Sequence, residues 1–179
     1  MILALLAILA PHVSAGTTYR LESAHTRVAF EVERFGIQWV AAHFREVSGE
    51  FAIDRGGGAS RIDVSVPIAS VECNDPRWNA RLLSSEWLDA QHYPFMTYRA
   101  ERILLGDDWA TATGLLTLHG VTREVVLSVS LHGCEPSGDC QFAAHARIRR
   151  SDFGLPHGFW SGGDQVQISI GGTVERTAS

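Results

Sequence analysis

GLLTLHGVTREVVLSV, residues 114–129, consists of two alternating runs joined by a turn-like break at His119-Gly120-Val121-Thr122. Leu116 and Leu118 share a face before the break; Val125, Leu127, Val129 and Leu131 share one after it. Apolar alternation with a period of two around a glycine turn is the pattern of a β-hairpin with one greasy face. The same period spreads outward along most of the chain. Val28, Phe30 and Val32 alternate with Ala29, Glu31 and Glu33, and Ile62, Val64, Val66 and Ile68 alternate with Asp63, Ser65 and Pro67. Val47, Gly49, Phe51 and Ile53 form another set, and the runs at 95–105, 142–148 and 166–170 continue it. With Thr17–Leu21 this predicts eight to nine strands, mostly separated by short Gly, Asp or Ser breaks and therefore antiparallel. Pro67 falls on the polar face of its run, which predicts an edge or bulged strand there.

One stretch departs from the period, NDPRWNARLLSSEWLDAQHYP at 74–94. Asp75 followed by Pro76 is an N-cap and first-turn signal. Trp78, Leu82 and Leu83, then Leu83, Trp87 and Leu88, recur at helical spacing until Pro94. One or two short helices are expected over about 76–90, their apolar stripe covering an open end or gap in the sheet. A further helical turn is expected near Gln38–His43. Many antiparallel strands with one apolar face each make a sandwich or a closed barrel.

The 179 residues suit one domain, and no composition shift marks a linker. The formal net charge is −5 and all 15 basic residues are arginine, dispersed along the chain. That argues against a nucleic-acid partner, which needs a concentrated basic surface; the RIRR at 147–150 is too short to supply one. Residues 1–15, MILALLAILAPHVSA, have the apolar length and the small-residue Val13-Ser14-Ala15 ending of a secretory signal peptide, although no Lys or Arg precedes the apolar run. That run is too short to span a bilayer, which needs about 20 residues. The expectation is an exported chain, its start codon upstream, whose mature domain covers 16–179 with no transmembrane segment. Cys134 and Cys140 bracket CEPSGDC, a loop composition. Oxidising surroundings predict a disulfide across it, since as metal ligands the pair would need two partners that the neighbourhood lacks. Cys73 is then a small buried hydrophobe.

Whether the inward face encloses a packed core or a ligand space is not decided by periodicity. Small residues are interspersed on it: Gly49, Ala100, Gly114, Ala144, Ala146 and Gly172. An unfilled pocket of about 300 Å³, at about 24 cal/mol per Å³, would cost ~7 kcal/mol. That rivals a typical total stability of about 5–15 kcal/mol. The interior is therefore packed shut or normally holds something apolar. No nucleophile elbow, phosphate loop, His-Glu-x-x-His or paired-cysteine zinc pattern occurs. The histidines are scattered; His25, His119 and His157 fall in predicted loops, and no metal site is expected. RRSDFG at 149–154 puts Arg150, Ser151 and Asp152 at a strand end, as a local cap or as a polar mouth for a head group.

SAHTRVAFEV (23–32), SSEWLDAQHYPFMTYR (84–99), LLTLHGVTREVVLSV (115–129), RRSDFG (149–154) and DQVQISI (164–170) resemble motifs of the YceI-like family in order and spacing. The likeness runs from about Tyr19 to Val174. Its most specific parts are Leu116-Thr117 with Gly120 to Thr122, Tyr93-Pro94, and Arg150 to Gly154. The resemblance implies an all-β fold, an eight-stranded antiparallel lipocalin-like barrel with one or two short helices inserted. It also implies a periplasmic protein that binds a polyisoprenoid lipid, with no known catalytic residues. Two isoprene units at ~0.8 kcal/mol per buried carbon group supply about 8 kcal/mol, roughly micromolar before association costs. The chain departs from the family pattern at Arg34 (often His), Ala42 (often Gly), Cys73 (commonly Thr), and Asn79 and Arg81 (often Asp and His). An Arg34 facing the mouth would favour an anionic head group.

On this reading Phe30, Val32, Val64, Ile68, Trp78, Leu82, Trp87, Leu118, Leu127, Phe142 and Phe153 line the lipid space, with Arg150 at its polar mouth. The ligand is a quinone, a quinone precursor or a polyprenyl chain, no other cofactor is implied, and a quinone cargo implies a membrane redox protein as partner. Two alternatives make distinct geometric predictions. A lipid-modifying enzyme would bring His119 and Asp152 into hydrogen-bond reach at a pocket mouth beside Arg150. A solid-cored stress or interaction module would show no internal cavity.

Overall fold

The computed structural model describes residues 17–34, 38–54, 59–73, 76–134, 139–157 and 163–177. The strand segments are β1 (Thr17–Leu21), β2 (Arg27–Arg34), β3 (Gln38–Phe44), β4 (Ser48–Ile53), β5 (Arg61–Pro67) and β6 (Val71–Cys73). After helix α1 (Pro76–Leu83) come β7 (Phe95–Leu105), β8 (Trp109–Leu118), β9 (Val121–His132), β10 (Cys140–Arg149) and β11 (Gln165–Arg176). The 114–129 stretch is the β8–β9 hairpin, with Leu118 opposite Val121. Its central residues, His119 and Gly120, have φ of 52° and 72°. Positive φ at both positions is what a two-residue type I′ turn requires, and that turn matches the twist of its flanking strands.

The segments occupy eight strand positions. β11 pairs with β2 through Val166–Gly171 and with β1 through Val174–Arg176, so β1 and β2 are one strand interrupted by the 3-10 turn Ser23–His25. β3 and β4 are likewise one strand broken at 45–47, and β5 and β6 are one broken by the 3-10 turn Ile68–Ser70. Every pairing is antiparallel; neighbours follow chain order, and the β1–β11 pairing closes the ring. The barrel predicted from the resemblance is present. Closure leaves the long strands without free edges, which explains how so many apolar alternating segments coexist in one chain.

Two local expectations are corrected. Gln38–His43 is strand β3, paired along its length with β2, because its partner's alternating face demands an extended neighbour. Pro67 lies on neither an edge nor a bulge. β5 has β4 on one side and β7 on the other, and Pro67 ends it where the Ile68–Ser70 turn begins. A bulge does occur, on β7, where the register on β8 slips between Ala100 and Arg102.

Helix α1 is only eight residues long, too short to hold without tertiary contacts. Leu82 and Leu88 are buried in the core cluster, and Trp87 packs against it. The backbone N–H of Leu88 donates to the Leu82 carbonyl at 3.0 Å, and that of Ala90 to the Leu83 carbonyl at 3.2 Å. The chain thus folds back over one end of the barrel as expected for 76–90; the predicted cap at Asp75 lies outside the described residues. At the opposite end the Cys134–Cys140 disulfide joins the end of β9 to the start of β10.

Candidate functional site

Among the described residues, two apolar cavities lie along the barrel interior. The larger, about 140 Å³, lies toward the disulfide end; Phe51, Ile62, Val64, Ile103, Leu127, Phe142 and Ile170 are among its walls, with Cys140 at its rim. The smaller, about 70 Å³, lies under α1, bounded by Phe30, Val32, Phe44, Leu82, Trp87, Leu88, Met96, Leu118, Ile148, Val166 and Arg150. These walls are made by the period-two faces of the strands, so the alternation read in the sequence is also what makes the cavities apolar. At about 24 cal/mol per Å³, leaving both unfilled would cost about 5 kcal/mol. Water is a poor filler, because a buried water needs two to four polar partners.

Of the residues expected to line a lipid space, Phe30, Val32, Leu82, Trp87, Leu118 and Arg150 border the smaller cavity, and Val64, Leu127 and Phe142 the larger. Three border neither. Ile68 and Phe153 are each 1% exposed and fill solid core, Ile68 in the turn that breaks β5 from β6 and Phe153 in the 3-10 turn after β10. Trp78 stands behind Trp87, ring to ring at 6.4 Å in an edge contact. The side chain of Arg34 lies outside the described residues. Phe51, Val28, Val129, Leu131, Ile168 and Ile170 were legible from the same alternation and belong with the lining set. Met96 belongs to the alternating run 95–105, whereas Leu155 and Arg81 carried no such signal.

The smaller cavity carries a cationic rim. Arg150 is 3% exposed; its Nε–H donates to the Gly163 carbonyl at 2.9 Å, and Nη2 donates to the same oxygen. Its guanidinium carbon lies 5.6 Å from the centre of the Trp87 ring, and that of Arg81 lies 5.9 Å from it and 5.4 Å from Trp78. Two guanidinium groups therefore flank one indole, each within cation–π range. Burial lowers the Arg150 pKa, opposed by the charge of Asp164. Asp164 itself is held below its ordinary range by the Ser151 backbone N–H at 2.8 Å, with the Ser151 hydroxyl adding to the effect and partial burial opposing it.

No acid–base set forms from His119, Arg150 and Asp152. His119 Nδ1 sits 3.3 Å from the Phe153 carbonyl, Arg150 is turned to Gly163, and Asp152 is exposed on the outer surface. The contact between His119 and Asp152 that the enzyme reading requires is therefore not made, and the internal cavities oppose the solid-cored reading. Among the described residues no group of three or more His, Cys, Asp or Glu side chains is placed to hold a metal ion, and no helix is long and apolar enough to cross a membrane.

A profile described as the YceI-like domain matches residues 19–174. Among curated relatives, the protein YceI of Escherichia coli O157:H7 is 28% identical over 154 residues, covering 83% of this chain and 81% of the relative. Its counterpart from Salmonella arizonae gives the same figures. Among solved structures, Burkholderia cenocepacia BcnA superposes with a TM-score of 0.76 at 23% identity, over 86% of this chain and 98% of that one. A polyisoprenoid-binding domain from Saccharophagus degradans implicated in plant cell wall breakdown superposes with a TM-score of 0.71 at 15% identity, over 89% and 98% of the two chains.

Proposed function

The chain belongs to the YceI-like family, and from its interior we propose that the barrel binds an isoprenoid lipid as a carrier or store in the periplasm. The observation that carries the reading is the pair of apolar cavities, about 140 and 70 Å³, walled almost wholly by aliphatic and aromatic side chains inside a closed barrel. An isoprenoid chain offers only hydrocarbon to such walls, and each buried carbon group contributes ~0.8 kcal/mol. The polyisoprenoid-binding domain of the same fold from Saccharophagus degradans supports this choice of ligand class. The chain binds along the barrel axis, and its head group lies at the α1 end, where Arg150 and Arg81 flank Trp87. A guanidinium can donate to a quinone carbonyl and binds a phosphate more strongly, through charge-assisted hydrogen bonds. The signal-peptide-like residues 1–15 support export, and a quinone cargo implies exchange with a membrane redox protein.

The test is native mass spectrometry of protein recovered from the periplasm, followed by solvent extraction and lipid analysis. A bound species whose mass contains repeating isoprene units is the expected result, and it identifies the head group at once. Protein at its bare polypeptide mass that also takes up no added quinone would overturn the reading.

A further inference from the structure

The two cavities are separated by a belt of inward side chains that borders neither of them. On β7 Tyr98 lies between Met96, which borders the smaller cavity, and Ile103, which borders the larger. On β8 Leu116 lies between Leu118 and Ala112, and on β10 Ala146 lies between Ile148 and Ala144, with the same division. Val125 on β9 and Val66 on β5 complete the belt, and all five are buried. Among the described residues, Val28 alone borders both cavities.

Tyr98 is the bulkiest member of this belt and is 6% exposed. Its hydroxyl lies within donating distance of two carbonyls on two different strands, Ala112 at 2.9 Å and Val125 at 3.1 Å. To reach them the ring crosses the inner face of β8 at the level where Ala100 stands opposite Gly114 and Gly114 opposite Val125. A Cβ on Gly114 would run into the Arg99 carbonyl and the Ala100 methyl, so this stretch of wall has no side chain of its own. Burial, with the nearby charge of Glu124, pushes the Tyr98 pKa up to about 12, so the hydroxyl stays protonated across the physiological range. The other four members of the belt hold their places by packing alone, and Tyr98 is also fixed through its hydroxyl.

We propose that Tyr98 sets the length of chain the barrel admits. Hydrogen-bonded to Ala112 and Val125, it keeps the interior as two compartments; turned aside, it joins them into one channel along the axis. The proposal rests on the lipid-binding reading and adds a specificity-determining residue to it. A chain short enough for one compartment is indifferent to Tyr98, whereas a longer chain must displace it.

Delipidated wild type, Tyr98→Phe and Tyr98→Ala are to be titrated with geraniol, farnesol, geranylgeraniol and solanesol, following tryptophan fluorescence and native mass spectrometry. In the wild type the gain in affinity per added unit is expected to stop once one compartment is filled. In Tyr98→Ala the longest alcohols are expected to tighten tenfold or more while geraniol changes by less than twofold, with Tyr98→Phe between. Tyr98→Leu replaces Tyr98→Ala should the latter not fold, as judged by its thermal transition. An equal change for every length, or a wild type whose affinity rises without a break, overturns the septum and leaves the lipid reading standing. A wild type that binds none of the alcohols overturns both.

Discussion

Tyr98 places a titratable group where the chain otherwise has hydrocarbon, and its energetics are open to a pH experiment. Its folded pKa of about 12 lies above the ordinary 10.0, because burial disfavours the phenolate and Glu124 adds to the effect. The sign follows from linkage: a group whose pKa is raised by folding contributes stability that is complete below pH 10 and lost as pH rises through 12. Two units at about 1.4 kcal/mol each correspond to roughly 2 to 3 kcal/mol. Urea unfolding is expected to show that loss between pH 10 and 12 in the wild type, and Tyr98→Phe is expected to lack it. A second residue-scale observation joins two departures from the family pattern. The Asn79 Oδ1 accepts the Cys73 backbone N–H at 2.8 Å and lies 3.0 Å from the Cys73 sulfur. Both unusual residues thus belong to one contact tying α1 to β6. Each departure stands out singly in the sequence; six positions apart in the chain, they give no sign of meeting. Cys73 is also half-buried rather than sunk in the core.

At the scale of elements, the two ends of the barrel are held in different ways. The α1 end relies on packing: a short helix and the turns after it are fixed by Leu82, Trp87 and Leu88, the same side chains that bound the smaller cavity. The opposite end relies on covalent closure, since the Cys134–Cys140 bond joins β9 to β10 beside the rim of the larger cavity. In the chain-entropy account a loop this short gives about 2 kcal/mol. Cys134→Ser with Cys140→Ser, or reduction of the wild type, is expected to lower the unfolding free energy by that amount, seen as a lower urea midpoint. The strands were legible because one period-two face per strand needs only local sequence. Three interruptions, at Ser23–His25, 45–47 and Ile68–Ser70, were less so. Each divides a strand position that remains continuous in the barrel, and a local break does not reveal whether the same neighbour resumes beyond it. The extended β3 at Gln38–Phe44 departs from the helical turn expected near Gln38–His43 for a related reason: its state is set by pairing with β2.

For the whole molecule, the interior has a stability consequence that needs no knowledge of the cargo. A ligand that fills the cavities binds only the folded barrel, so at a hundredfold excess over Kd it adds about 3 kcal/mol. For a domain of this size that corresponds to a rise in Tm of roughly 5–10 °C. Protein carrying its lipid, compared with delipidated protein by calorimetry, is expected to differ by this much; coincident transitions would show that the lipid does not bind the folded barrel in preference to the unfolded chain. The amino-acid sequence by itself determined the strand count to within one, the inward faces, a turn within 119–122, the helical insertion and the disulfide. Each of these depends on a period, a spacing or a short-range turn preference. Only the tertiary structure decided closure, which pairs β1 with β11 across nearly the whole chain. It also decided that Ile68 and Phe153 fill core while Arg150 edges a cavity, and that the interior is two compartments. Tyr98 is tied to carbonyls 14 and 27 residues away, one on the neighbouring strand β8 and one on β9 beyond it. Periodicity tells which face a side chain takes; how far it reaches across an enclosed space depends on residues that are neighbours only after folding.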